Sequence, residues 1–174
     1  GEREVNTLWN YEFDASPSSV SVSDNGEIVS TGSNDYVYIF NLSASEPDSP
    51  ELKYETDDFQ GVVVSGNGKF VASTGIGEYD TNLRIFEESS SGSWSYVYGS
   101  SNIYYPDTID ISYSGTETLV GGSNTYFFGT DSSGDYESKW SSTGSTGNIR
   151  SFLSDDGEYA VSCYNDYNII AWKT

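Results

Sequence analysis

Four times along the chain, an alternating apolar stretch passes through a glycine turn into a second apolar stretch. The copies are Val20–Val29, Val62–Val71, Ile109–Val120 and Phe152–Val161, and in each a serine precedes the turn: Ser23, Ser65, Ser112 and Ser154. Successive serines lie 42, 47 and 42 residues apart, and the turn glycines Gly26, Gly68, Gly115 and Gly157 keep the same spacing. Alternation with period two reads as half-buried strand. A glycine between two such runs supplies the positive φ of a tight hairpin. Internal repetition at this period dominates every other reading of the chain.

Each hairpin leads to a third strand-like run: Tyr36–Phe40, Asn82–Phe86, Tyr126–Phe128 and Ile169–Trp172. A fourth follows three of them: Leu52–Glu55, Trp94–Tyr98 and Tyr136–Trp140. None follows Trp172, but Leu8–Phe13 has the fourth-strand pattern and precedes the first hairpin. Four-stranded units repeating radially make a β-propeller, whereas a β-sandwich needs neither equal repeats nor a strand shared between termini. The expectation is an all-β, single-domain propeller over residues 1–174, with antiparallel four-stranded blades at about 18–56, 60–99, 107–141 and 148–174. Residues 7–13 are expected to complete the last blade and cover its edge. Closure in cis as a four-bladed ring avoids association entropy. The alternative is that the chain is half of an eight-bladed dimeric ring.

The stretches Ser65–Ser73 and Asn82–Phe86 resemble WD40 repeats, and the blades as a group resemble degenerate WD40 or pyrroloquinoline-quinone-type propeller repeats of the acidic, haloarchaeal kind. The likeness spans about residues 7–174, without the Gly-His pair or a Trp-Asp at the end of the third strand. It implies a structural aspartate before the third strand, matched by Asp35, Asp80 and Asp166, with Asn124 in the third copy. Its motifs specify fold rather than activity. A quinone enzyme would need a larger ring, calcium and a cofactor face that nothing here supplies, so no cofactor is expected.

Charge narrows the partners. The 174 residues carry 27 Asp plus Glu against 7 Lys plus Arg, a formal net charge of −20. No basic footprint for nucleic acid is present, nor a polybasic attraction to anionic membranes, and no apolar run is long enough to insert. The acids are spread along a chain that also holds 15 Tyr, 8 Phe and 4 Trp in patterned runs, which argues for a folded, acid-coated domain. Such a surface suits a salty medium, where self-repulsion is screened, and fits the cell surface or exterior of a halophile. With no histidine, Ser-His-Asp and Cys-His chemistry and imidazole-ligated zinc are excluded. The single Cys163 is expected in the core as a small buried thiol.

Function in a propeller falls to the loops, because its strands are occupied with packing. Two loops stand out, Gly75–Thr81 and Gly99–Asp107. In adjacent blades they would share a face, where Glu78, Tyr79, Tyr104, Tyr105 and Asp107 form a candidate patch for a protein partner or a surface glycan. Paired carboxylates could serve a hydrolase, but 27 acids place some pair at a suitable distance by chance. The segment Asp131–Asp135 lacks the remaining ligands of a calcium loop and reads as a turn. The reading is therefore a non-catalytic binding or scaffold module of a salt-adapted protein. A lectin-like domain is the alternative, and a carboxylate-dependent hydrolase comes third.

Overall fold

The computed structural model describes residues 6–76, 81–142 and 148–174. It is all-β. The first sheet holds β1 (Ser19–Val22), β2 (Ile28–Ser33), β3 (Tyr36–Asn41) and β4 (Leu52–Glu55). The second holds β5 (Phe59–Val64), β6 (Phe70–Gly75), β7 (Leu83–Glu88) and β8 (Trp94–Ser100). The third holds β9 (Thr108–Ile111), β10 (Glu117–Gly121), β11 (Thr125–Thr130) and β12 (Tyr136–Ser142). The last holds β13 (Asn148–Leu153), β14 (Tyr159–Tyr164) and β15 (Ile169–Lys173). Every neighbouring pair is antiparallel and consecutive in the chain, so each sheet is an up-and-down blade.

The repeated serine has one physical role throughout. Its Oγ accepts from the backbone N–H that opens the second strand: Ile28 to Ser23 at 3.0 Å, Phe70 to Ser65 at 3.0 Å, Glu117 to Ser112 at 3.1 Å and Tyr159 to Ser154 at 2.9 Å. In three blades the same hydroxyl donates to the side chain two residues on, namely Asn25, Asn67 or Asp156. The turn glycines sit between φ +70° and +82°. These turns also link the blades, since Asp24 N–H donates to Gly66 O at 3.1 Å, Asn67 N–H to Tyr113 O at 3.0 Å and Tyr113 N–H to Asp155 O at 2.7 Å.

Three apolar clusters lie between successive blades. Ile28, Val37 and Ile39 of the first blade meet Val62, Val64, Val71 and Phe86 of the second. Ala72, Leu83 and Ile85 meet Ile111, Val120 and Phe128 of the third, and Leu119 and Phe127 meet Leu153 and Ala160 of the fourth. The register explains the pattern. Directly paired residues such as Val29 and Phe40, or Ser30 and Ile39, share a face, so each sheet has one side toward the preceding blade and one toward the following blade.

An aromatic from the outermost strand closes each interface. Tyr54 packs on Phe86 at 5.0 Å between ring centroids, Tyr98 on Phe128 at 6.0 Å and Trp140 on Trp172 at 5.2 Å. Polar contacts also cross between blades: Val64 N–H donates to Ser21 Oγ at 3.0 Å, and Leu153 N–H to Asp110 Oδ2 at 2.7 Å.

Burial raises the Asp110 carboxyl above its ordinary pKa, against the pull of the Leu153 and Ile111 N–H groups. A raised folded-state value means that the native protein holds this proton more tightly than the unfolded chain. The group's contribution therefore improves as pH falls through the folded pKa, and ionised Asp110 is unfavourable at neutral pH. Asp110→Asn keeps an acceptor for Leu153, and is expected to be at least as stable as the parent at pH 7 and to lose this increment in acid. Asp110→Ala should cost ~1–3 kcal/mol by orphaning the Leu153 N–H. Urea midpoints of both variants across pH, read as differences from the parent, check this.

Three expectations change. Residues 7–13 do not complete the last blade: that sheet has three strands, and Trp9, Tyr11 and Phe13 instead pack on Tyr38 and Phe40 of the first blade. Nor do the described residues of the four blades close on themselves. Among the described residues no apolar cluster joins the fourth blade to the first, and Ile169 and Phe152 of the fourth and Val20 of the first are exposed. Cys163, finally, is half-buried rather than in the core, because its place opposite Ile169 puts it on the side of the fourth blade where Phe152, Val161 and Ile169 are exposed.

Candidate functional site

The loop between β8 and β9 is held from beneath by Ile103. This side chain is fully buried in the cluster between the second and third blades, with Leu83, Ile85 and Val120. Its carbonyl accepts from Asn82 Nδ2 at 2.5 Å, which ties the loop to the start of β7. The next residue is fixed by the third blade, where Ser123 N–H donates to Tyr104 O at 2.9 Å and Asp107 N–H to Gly121 O at 2.8 Å. Tyr105 adopts φ +51°, a left-handed conformation that a bulky side chain adopts only when its surroundings impose it. Gly122 permits this arrangement: a Cβ there would lie 2.5 Å from Tyr105 O and 2.7 Å from Tyr104 O.

Anchored in this way, the Tyr104 and Tyr105 rings stand out into solvent, and Asp107 is exposed beside them. Tyr105, Pro106 and Asp107 line a cavity of about 380 Å³ with Gln60 and Ile76 of the second blade and Gly122 and Ser123 of the third. The two singled-out loops thus meet at Ile76. Glu78, Tyr79 and Asp80 lie outside the described residues. The residues missed from sequence are those that hold the loop, namely Asn82, Ile103, Gly122 and Ser123. Only the Gly121-Gly122 pair carried a signal, as a place where backbone approaches closely.

The other candidate acids serve turns. Asp35 is exposed, and its backbone carbonyl accepts from Thr56 N–H at 2.6 Å. Asp166 Oδ1 accepts from Asn168 N–H at 3.3 Å. Asp131 Oδ1 accepts from Ser133 N–H at 2.7 Å and Asp135 N–H at 3.0 Å, and these bonds hold its carboxyl below the usual range. Such closure is that of a turn, as the sequence suggests. Among the described residues no group of three or more His, Cys, Asp or Glu is placed to hold a metal ion. Ion pairs among the described residues include Lys69–Glu88, Lys139–Glu137 at 2.7 Å and Lys173–Glu158 at 3.9 Å.

No protein-family model and no curated protein matches the sequence. Solved structures do match. The chain is similar to a chain in the crystal structure of the Mitotic Checkpoint Complex, with TM-score 0.70 and 16% identity over 94% of this chain and 50% of that one. It is also similar to the Myceliophteria thermophila Cps50 (Swd1) β-propeller domain, with TM-score 0.67 and 8% identity over 91% of this chain and 53% of that one. It spans about half the length of these structures. At such identities the likeness is one of fold, and the fold is that of β-propeller blades.

Proposed function

We propose that this chain is a non-catalytic scaffold module of a salt-adapted protein, presenting the Tyr104–Asp107 loop to a protein partner. The observation that carries this reading is the pairing of two exposed tyrosines with a 380 Å³ cavity on a loop held by buried anchors. Rigid aromatic side chains give contact area at small entropic cost, and Asp107 offers an acceptor for amide or cationic donors. A partner segment with Lys or Arg flanking an extended stretch suits this face, given the net charge of −20. The similarity to a chain solved within the Mitotic Checkpoint Complex supports an interaction role. Glu78 and Tyr79 are proposed to extend the patch.

The same tyrosines beside an acid could take a sugar face, which keeps a cell-surface lectin as the second reading. Screening the chain against a displayed peptide library and a glycan array separates the two. The expected result is enrichment of basic peptides, with affinity falling at least about tenfold, or ~1.4 kcal/mol, in Tyr104→Ala with Tyr105→Ala. Glycan hits lost in that variant would favour the lectin. Peptide binding unchanged by the substitutions would place the partner surface elsewhere.

A further inference from the structure

Asn41-Leu42-Ser43 is the only Asn-x-Ser/Thr triplet in the chain, and its middle residue is not proline. This is the acceptor pattern for N-linked glycans, and its worth depends on where the fold puts it. Asn41 is the last residue of β3, and the connection that follows runs from Leu42 to Glu51 before β4 begins. The matching connections of the next two blades, Ser89–Ser93 and Asp131–Asp135, are half as long. No residue from Asn41 to Glu51 is buried, and Ser43 is exposed. The triplet therefore opens an enlarged surface loop.

Its two polar side chains engage one another. Ser43 donates twice to Asn41 Oδ1, from its backbone N–H at 3.0 Å and from its hydroxyl at 2.7 Å. A backbone N–H can only donate, so the atom opposite it is the amide oxygen, and the orientation of the amide is fixed. Asn25 and Asn67 also brace their turns through Oδ1, accepting from the N–H groups of Glu27 and Lys69 at 3.0 and 2.9 Å. Each of these commits its Nδ2 as well, Asn25 to Glu27 Oε2 at 2.7 Å and Asn67 to Ser114 O at 2.9 Å. Among the described residues nothing accepts from Asn41 Nδ2. The asparagine with the acceptor pattern is thus one whose nitrogen is left uncommitted.

We propose that Asn41 is an N-glycosylation site. Its Nδ2 forms a bond to the anomeric carbon of a sugar carried on a polyprenyl pyrophosphate. The bond from that carbon to the phosphate oxygen breaks, the lipid pyrophosphate leaves with the electron pair, and one Nδ2 proton is released. A neutral amide nitrogen is a weak nucleophile because its lone pair is shared with the carbonyl. The negative charge that reaches Oδ1 as the proton departs meets the two Ser43 donors, which are already aimed at it. Strands β3 and β4 join at the end of their blade opposite to the end where the β8–β9 loop lies, so a glycan on Asn41 leaves the Tyr104–Asp107 loop clear. None of this depends on what that loop binds.

The test is to incubate the folded 174-residue chain with an active single-subunit oligosaccharyltransferase and a polyprenyl-pyrophosphate-linked oligosaccharide, read by intact-mass spectrometry. A synthetic peptide of residues 36–51 runs beside it. The expected result is a mass increase of one glycan in both, mapped to Asn41 by proteolysis. Asn41→Gln and Ser43→Ala are expected to lose the added mass completely, whereas Ser43→Thr, which keeps the hydroxyl, retains it. These positions lie on a surface loop, so each variant should keep the parent's β-sheet circular dichroism, and the same substitutions in the peptide give the readout without folding. A peptide that stays unmodified would show that the triplet is no acceptor. A modified peptide beside an unmodified folded chain would show that the fold hides Asn41, and modification that survives Ser43→Ala would remove the hydroxyl from the mechanism. Each of these three results overturns the proposal.

Discussion

Raising KCl from about 0.05 M to roughly 2 M is expected to lift the melting temperature by about 10 °C or more, the equivalent of ~3 kcal/mol for a chain of this size. The sequence sets 27 acids against 7 basic residues, so most acids have no basic side chain of their own to neutralise them. Folding draws these charges together, and salt weakens the repulsion most where the Debye length falls below their separation. Scans should be run at several protein concentrations, because association of two chains would add a concentration-dependent increment. A melting temperature that stays flat through molar salt would remove salt adaptation from the functional reading, without touching the fold.

The second large effect lies between the first two blades. Phe86→Ala is expected to destabilise by ~3–5 kcal/mol, or roughly 6–20 °C in melting temperature. Phe86 is 0% exposed, meets Tyr54 edge-on at 5.0 Å and has Tyr96 at 6.0 Å, so truncation opens a void that neither ring can fill without losing its place. Val97→Ala, on the exposed outer strand of the same blade, should stay within about 0.5 kcal/mol. Thermal and urea unfolding of the two variants, side by side, decide it. Equal losses would mean that the inter-blade cluster is not what holds the array together.

The parts that repeat were legible in the sequence, and for a physical reason. Ser23, Ser65, Ser112 and Ser154 recur because the same hydroxyl closes the same hairpin in each blade, so a local hydrogen bond leaves a periodic trace. What happens at the ends repeats nowhere. The aromatic pattern of Leu8–Phe13 reads as an outer strand, and its rings do take an outer strand's place, but its neighbour is Phe40 rather than β15. Which edge such a segment joins depends on where the array has curved by its fourth blade, a sum of small rotations that residue types do not encode one by one. The site divides likewise. Tyr104, Tyr105 and Asp107 stand out by composition, whereas Asn82, Ile103 and Gly122 hold the loop through contacts between residues distant in sequence, visible only once the blades pack.

The serial links at the hairpin turns, from Asp24 to Gly66, Asn67 to Tyr113 and Tyr113 to Asp155, carry a thermodynamic meaning. Among the described residues these bonds couple each blade to its nearest neighbours, so the blades behave as a short one-dimensional lattice rather than a single core. Interior units are clamped on two sides and terminal units on one. A blade held on both sides therefore opens only by breaking two interfaces, and the strength of each interface sets how cooperatively the array unfolds.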